Sequence, residues 1–224
     1  MSFISRVELK YQLQSMGIKV ENGYIKRSDL EKVFAKYTVL GNSTVYHHTS
    51  LTIITLILKE NKFIFKDLHE ESNYYHSDDN DCNRDTIKKE LKSYPEYFFS
   101  TTRNKSSRYS EDVDPTGFAV TLNLDQNALK HNLKSTPFVR FHGEMEERFW
   151  SNKAEVKPAT KYIKEIHVDR EGLKKEVELL DENPKTQANE CKSLVGLAKK
   201  YNIPVYWYDK TVDFYNQKNA KKLN

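Results

Sequence analysis

The sequence predicts an α+β fold. Residues 118–124 put Phe118, Val120, Leu122 and Leu124 on alternate positions, the period of a strand with one buried face. Residues 187–201 carry Ala188, Cys191, Leu194, Val195 and Ala198 at helical spacing. Short strand-like runs at 44–47 and 63–65 flank an apolar helix at 51–59, so the two periods mix within one core. At 224 residues and 26.4 kDa the chain is long enough for one sizeable core with appendages.

Composition narrows the function. With 30% charged residues and a mean hydropathy of −0.78 the chain is polar, yet 14 Tyr and 11 Phe supply the material of a folded core. The longest apolar run, 51–58, is broken by two threonines and is far short of a bilayer span, which needs roughly 20 residues. The opening MSFISRVELK has no basic segment followed by an apolar one, and a cytoplasmic address is expected. Cys82 and Cys191 have no CxxC spacing, so they are read as reduced thiols. With 7 Gly in all, the chain has neither GxxxxGK[ST] nor GxGxxG, which removes the glycine-cradled nucleotide enzymes. The histidines form no HExxH or HxH pair, and Asp78, Asp79 and Asp81 lack the Gly and closing Glu of a calcium loop, so no metal is expected. A net charge of +4, with Lys and Glu intermixed, gives only mild attraction to nucleic acid.

Three parts follow along the chain. Residues 1–40 read as a helical appendage: Phe3, Ile4, Val7 and Tyr11 recur at helical spacing, Asn22-Gly23 marks a turn, and Ser28 with Glu31 forms a capping box. Residues 41–168 are the core. In them a polar insertion at 69–93 carries a short helix near 87–91, Tyr97-Phe98-Phe99 leads into Ser100-Thr101-Thr102-Arg103, and a polar loop runs to Pro115. After the 118–124 strand, residues 138–149 read as extended, with Glu144, Glu146 and Arg148 on one face and Met145, Glu147 and Phe149 on the other, and 162–168 is a further strand. Residues 169–224 are a helix-strand extension that packs on the core, in which the 187–201 helix feeds a strand at 203–208. The strands at 162–168 and 203–208 are expected to make a crossover onto one sheet, and the basic tail 216–224 is expected to fray.

Three clusters carry polar chemistry: Tyr46-His47-His48-Thr49, Ser100-Thr101-Thr102-Arg103, and Glu144-Met145-Glu146-Glu147-Arg148. Singly, each has an ordinary structural explanation, as a satisfied strand-end histidine, a capping cluster and a solvated strand face. In order, the runs VYHHTSLTIITLILKENKF, FFSTTRNK and GEMEERFW, followed by VKPATKYIKEIHV, resemble the ADP-ribosyltransferase and PARP-type domains. The likeness spans 44–168, with small phage and bacterial members the nearest in texture.

That resemblance implies an ADP-ribosyltransferase-like split β-sheet that binds NAD in a cleft without a glycine-rich loop. It implies Glu146 as the carboxylate that stabilises an oxocarbenium-like ribose, and Glu144 as the group that orients the acceptor. It further implies His47 and Thr49 as cofactor-binding residues at the adenosine-side ribose, and Ser100 and Thr102 at the nicotinamide ribose. Tyr74 or Tyr75 is placed against the nicotinamide ring. The acceptor it implies is a host protein or nucleic acid, modified by an effector in the cytoplasm. His48 stands where the family carries Gly, which narrows the pocket there. Two other readings belong with it: RNA 2′-phosphotransfer or NAD hydrolysis on the same fold, with Arg103, Arg108 and Arg140 as phosphate contacts, and a noncatalytic phage or virion binding protein.

Overall fold

A computed structural model describes residues 20–21, 24–25, 44–67, 97–102, 119–138, 146–180, 183–216 and 218–224. The expected helices at 3–11 and 28–34, the 69–93 insertion and the 103–115 loop lie outside the described residues. Val20–Glu21 (β1) pairs antiparallel with Tyr24–Ile25 (β2) around the Asn22-Gly23 step, the dipeptide most suited to a two-residue hairpin.

Thr44–Thr49 forms β3, and Ser50 then caps the helix α1, Leu51–Glu60, its side chain accepting from the Ile53 amide. The helix ends at Asn61, whose left-handed backbone (φ 51°) closes the last turn while its Oδ1 accepts from both the amide and the hydroxyl of Thr160. Leu51, Ile54, Ile57 and Leu58 are the buried face. Two short strands follow, Phe63–Ile64 (β4) and Lys66–Asp67 (β5). Next come β6 (Tyr97–Thr102) and β7 (Val120–Asp125), and Asp125 accepts from the amides of Asn127 and Ala128 to start α2, Gln126–Asn132.

Lys134–Phe138 (β8), Glu146–Ser151 (β9), Glu155–Val156 (β10) and Ile163–Asp169 (β11) complete the core. The extension contributes α3 (Arg170–Leu180), α4 (Pro184–Lys200, capped by Asn183), β12 (Val205–Tyr208), α5 (Thr211–Asn216) and β13 (Lys221–Lys222).

These elements make a mixed α+β structure with a mostly antiparallel sheet. The order is β13-β12-β11-β7-β3-β6-β9-β8, with β5 on the free edge of β6, and β10 pairs separately with β4. The crossover expected between 162–168 and 203–208 is present: β11 and β12 are parallel neighbours, joined through α3 and α4. Expected boundaries shift where capping decides them, so α4 begins at Pro184, directly after its Asn183 cap. The tail expected to fray is instead tied down. β13 pairs with Tyr206 and Trp207, and Asn224 accepts from the Val205 amide while donating to the Ile203 carbonyl, which satisfies the edge of β12.

The sheet has two unlike faces. Val45, Val120, Leu122, Leu124, Ile166, Val168 and Val205 point to one face and bury against α1 and against Leu194 and Ala198 of α4. Each fully buried leucine of that layer contributes roughly 1.5–3 kcal/mol. Cys191 packs beside this core, where burial pushes its thiol up to about 11, so it stays protonated and inert at neutral pH.

Two helical glycines give opposite expectations. A methyl on Gly172 would lie 2.9 Å from the carboxylate of fully buried Asp169 and 3.2 Å from Ala119, whereas one on Gly196 would meet nothing within 4 Å. Gly172→Ala is expected to lower stability by about 1–3 kcal/mol, and Gly196→Ala to raise it by about 0.5–1 kcal/mol. Urea unfolding of the two variants checks both signs.

Candidate functional site

The second face of the sheet is polar. Strand register assigns its members, because paired residues in neighbouring strands share a face. Thr102 stands opposite Tyr46 on β3 and opposite Glu146 on β9; Tyr46 in turn stands opposite Asn123, and Asn123 opposite Glu165. One cross-strand row therefore reads Glu146, Thr102, Tyr46, Asn123, Glu165. In the adjacent row Ser100 pairs with Arg148, and His48 pairs with Thr121, which pairs with His167 and so with Tyr206.

Most of this face is covered. Thr102, Thr121, Asn123, Arg148 and His167 are all buried. Such groups need partners, and they form networks. His48 Nδ1 lies 2.8 Å from Thr121 Oγ1. His167 Nδ1 lies 2.7 Å from the Tyr208 hydroxyl and its Nε2 3.0 Å from Glu165 Oε2, while Asn123 Nδ2 donates to that same carboxylate oxygen at 3.0 Å. The rings of Tyr208 and His167 stack with centroids 5.6 Å apart, and burial pushes the Tyr208 phenol well above its usual range, so it stays a neutral donor. Arg148 lies over the Phe98 ring at 4.2 Å. Asn123 Oδ1 is buried with no hydrogen-bond partner.

The expected site residues divide between the faces. Ser100 and Thr102 are on the polar face, and Glu146 holds the register position opposite Thr102; its side chain, like the whole of Glu144, Tyr74 and Tyr75, is outside the described residues. His47 and Thr49 go to the core face, since they pair with Leu122 and Val120. The structure thus does not bring the His47 and Thr49 side chains together with those of Ser100 and Thr102, and the reason is the period of two. The histidine that shares the polar face is His48. Glu147, expected to face away from Glu146, is fully buried on the core side, held by Gln126 Nε2 at 2.8 Å and Lys130 Nζ at 3.2 Å.

His47 has a different task. Its pairing strand β3 meets β6 at Tyr46 and Thr102, and the first residues of β6 pair with β5 instead. Where the two strands part, His47 Nδ1 lies 2.9 Å from the Ser100 carbonyl and its ring sits on Phe99 with centroids 4.3 Å apart. A carbonyl only accepts, so Nδ1 carries the proton. Burial outweighs this hydrogen bond and lowers the His47 pKa from 6.5 to about 4.

Asn123, Glu165, His167 and Tyr208 were not singled out in the sequence. The available trace was polar residues on the outer positions of the strands at 118–124 and 162–168, which has meaning only once those strands are neighbours. Among the described residues no group of three or more His, Cys, Asp or Glu is placed to hold a metal ion, and no helix is long and apolar enough to cross a membrane. No family model, curated protein or solved structure matches the chain.

The low His47 pKa sets a pH dependence. The unfolded chain binds this proton near pH 6.5 and the folded chain only near 4, so the stability His47 contributes is present above about 6.5 and is lost as pH falls toward about 4. His47→Phe keeps the ring stack but loses the titration and the Ser100 hydrogen bond. The variant is expected to be less stable than wild type at about pH 7.5, with the gap narrowing at about pH 4.5, as measured by urea unfolding at both.

Proposed function

We propose that this protein is an NAD-dependent ADP-ribosyltransferase that modifies a protein or nucleic acid of a host cell, with Glu146 as its catalytic carboxylate. The observation that supports this most is adjacency. The strands carrying Tyr46-His47-His48-Thr49, Ser100-Thr101-Thr102 and Glu146 are distant in sequence yet lie side by side as β3, β6 and β9, with Tyr46, Thr102 and Glu146 in one register row. β3 and β6 stay paired at Tyr46 and Thr102 and part beyond them, and the half-buried His48 and Ser100 on the polar face beside the parting suit a ribose ligand.

In the reaction the bond from ribose C1′ to nicotinamide breaks, its electron pair leaving on the nicotinamide nitrogen. The acceptor heteroatom bonds to C1′ and releases its proton to solvent. A carboxylate at Glu146 stabilises the positive charge that develops on the ribose between these events. Ser100 and Thr102 offer hydroxyls to that ribose, and His48 takes the ligand-facing position that the sequence had assigned to His47. Glu144, two residues before Glu146, orients the acceptor.

Incubation with labelled NAD and a bacterial lysate tests the reading. Glu146→Gln is nearly isosteric and is expected to reduce label transfer by about a hundredfold or more. Glu144→Gln is expected to lose transfer while still releasing ADP-ribose. Free ADP-ribose without labelled acceptor in the wild type would identify a hydrolase, and no turnover a binding protein. Full transfer by both variants would remove the carboxylates from the mechanism.

A further inference from the structure

We propose that the groove where α2, the turn between β9 and β10 and the segment before β11 meet binds a single nucleic-acid strand through its phosphates, with Lys153, Lys157 and Lys161 as the contacting cations. Binding stands apart from the transferase reading. The use of the groove to hold a nucleic-acid acceptor rests on that reading. Three observations carry the inference.

The first is where the fold collects charge. Residues 151–164 contain Lys153, Lys157, Lys161 and Lys164 and a single acid, Glu155, a net charge of +3 against +4 for all 224 residues. Lysines and glutamates that are intermixed over the whole chain are therefore unbalanced here. Lys153, Lys157 and Lys161 are exposed. Among the described residues Glu155 is the one carboxylate in the groove lining, and Lys62 holds its Oε1 at 2.7 Å while Lys157 holds its Oε2 at 3.0 Å. Two lysines on one exposed carboxylate leave the groove positive. Such a surplus attracts a partner with regularly spaced negative charges.

The second observation is shape. The groove has a volume of about 680 Å³, within the roughly 300–1,000 Å³ of ligand sites. Leu133, Val156 and Tyr162 line it from the core side, an apolar surface for the bases and sugars of a strand while its phosphates meet the lysines. A bilayer surface follows flat or convex faces, so a concave site favours the strand. The third observation is rigidity. Ser151 Oγ accepts from the Lys153 amide at 2.9 Å, the Phe65 amide donates to the Ala154 carbonyl at 2.7 Å, and β10 pairs with β4. The turn that carries the lysines is thereby pinned to the core, and little order has to be gained on binding. Ser151 also ends β9, five residues from Glu146. At about 3.4 Å per residue that is about 17 Å, a separation that a few nucleotides of an extended strand cover.

Fluorescence anisotropy of the full chain with a labelled oligouridylate of about 12 nucleotides, repeated over a range of salt, is the test. Three phosphate contacts at about −0.7 each predict a log–log salt slope of about −2 for the wild type. Lys153→Ala combined with Lys157→Ala removes two of them, and is expected to bring the slope to about −0.7 and to weaken binding about tenfold or more at low salt. Lys174→Ala combined with Lys175→Ala removes the same charge from α3, which begins at the end of β11 away from Tyr162, and is expected to leave slope and affinity as they are. All four lysines are exposed, so both pairs of substitutions keep the fold. No binding by the wild type, equal weakening by the two pairs, or equal displacement of the strand by polyglutamate would overturn the groove, and so would binding to phosphatidylserine vesicles alone. Strand binding without any transfer from NAD would sink the transferase reading alone, and transfer to protein with no strand bound would sink the groove alone.

Discussion

The alternation of side chains across five register-matched strands, β9, β6, β3, β7 and β11, is the constraint on which the rest of this structure depends. Leu122 and Leu124 can be fully buried only if Thr121 and Asn123 are turned the other way, and the same holds for Ile166 and Val168 against Glu165 and His167. A slip of one residue in β7 would send an amide and a hydroxyl into the layer that packs on α1 and α4, and two leucines onto the polar face. Core packing and the composition of the candidate site are thus one decision. Leucines that touch no ligand are what hold Asn123 beside Glu165.

His47 is where that constraint is interrupted. A strand that parts from its neighbour leaves backbone carbonyls without partners, and here the imidazole replaces the missing amide at Ser100. The ring is at once a hydrogen-bond donor to the backbone and an aromatic surface for Phe99, which itself packs on Phe63 and Phe65. A charged imidazole would lose the fit with this apolar cluster, which is why burial holds it neutral. The histidine that looks most like a ligand contact in the sequence bonds the Ser100 carbonyl where the strands part, and the next residue, His48, lies on the opposite face against Thr121.

Much of the fold was legible. The Ser50 and Asn61 caps bound α1 within a residue of its helical pattern, and the alternation in 118–124 located β7 and its buried face. The parallel crossover followed from the strand, helix and strand order. What escaped notice had weak local texture. α2 has seven residues with Leu129 and Gln126 as its buried members, and its existence rests on the Asp125 cap more than on an apolar stripe. β10 and β13 are two residues each and exist only through their partners. At the site, the neighbourhood of Ser100, Thr102 and Glu146 was anticipated by resemblance, whereas the division of His47 from His48 needed register. The Asn123, Glu165, His167 and Tyr208 network was invisible for the same reason: its members come from three strands, two of them parallel, and no spacing in the chain connects them.

The pair Glu146-Glu147 shows how one such division works at close range. Successive residues of a strand take opposite faces, so Glu146 and Glu147 hold register positions on different sides of β9. Glu147 goes to the core side, where Gln126 and Lys130 of α2 bind its two oxygens and Thr101 donates to its backbone carbonyl. A buried carboxylate is tolerated only with such partners, and shifting β9 along β6 by one residue would strip them away. This buried contact therefore fixes which residue stands opposite Thr102. The short helix overlooked in the sequence, by holding Glu147, sets the position of Glu146 in the row that ends at Glu165.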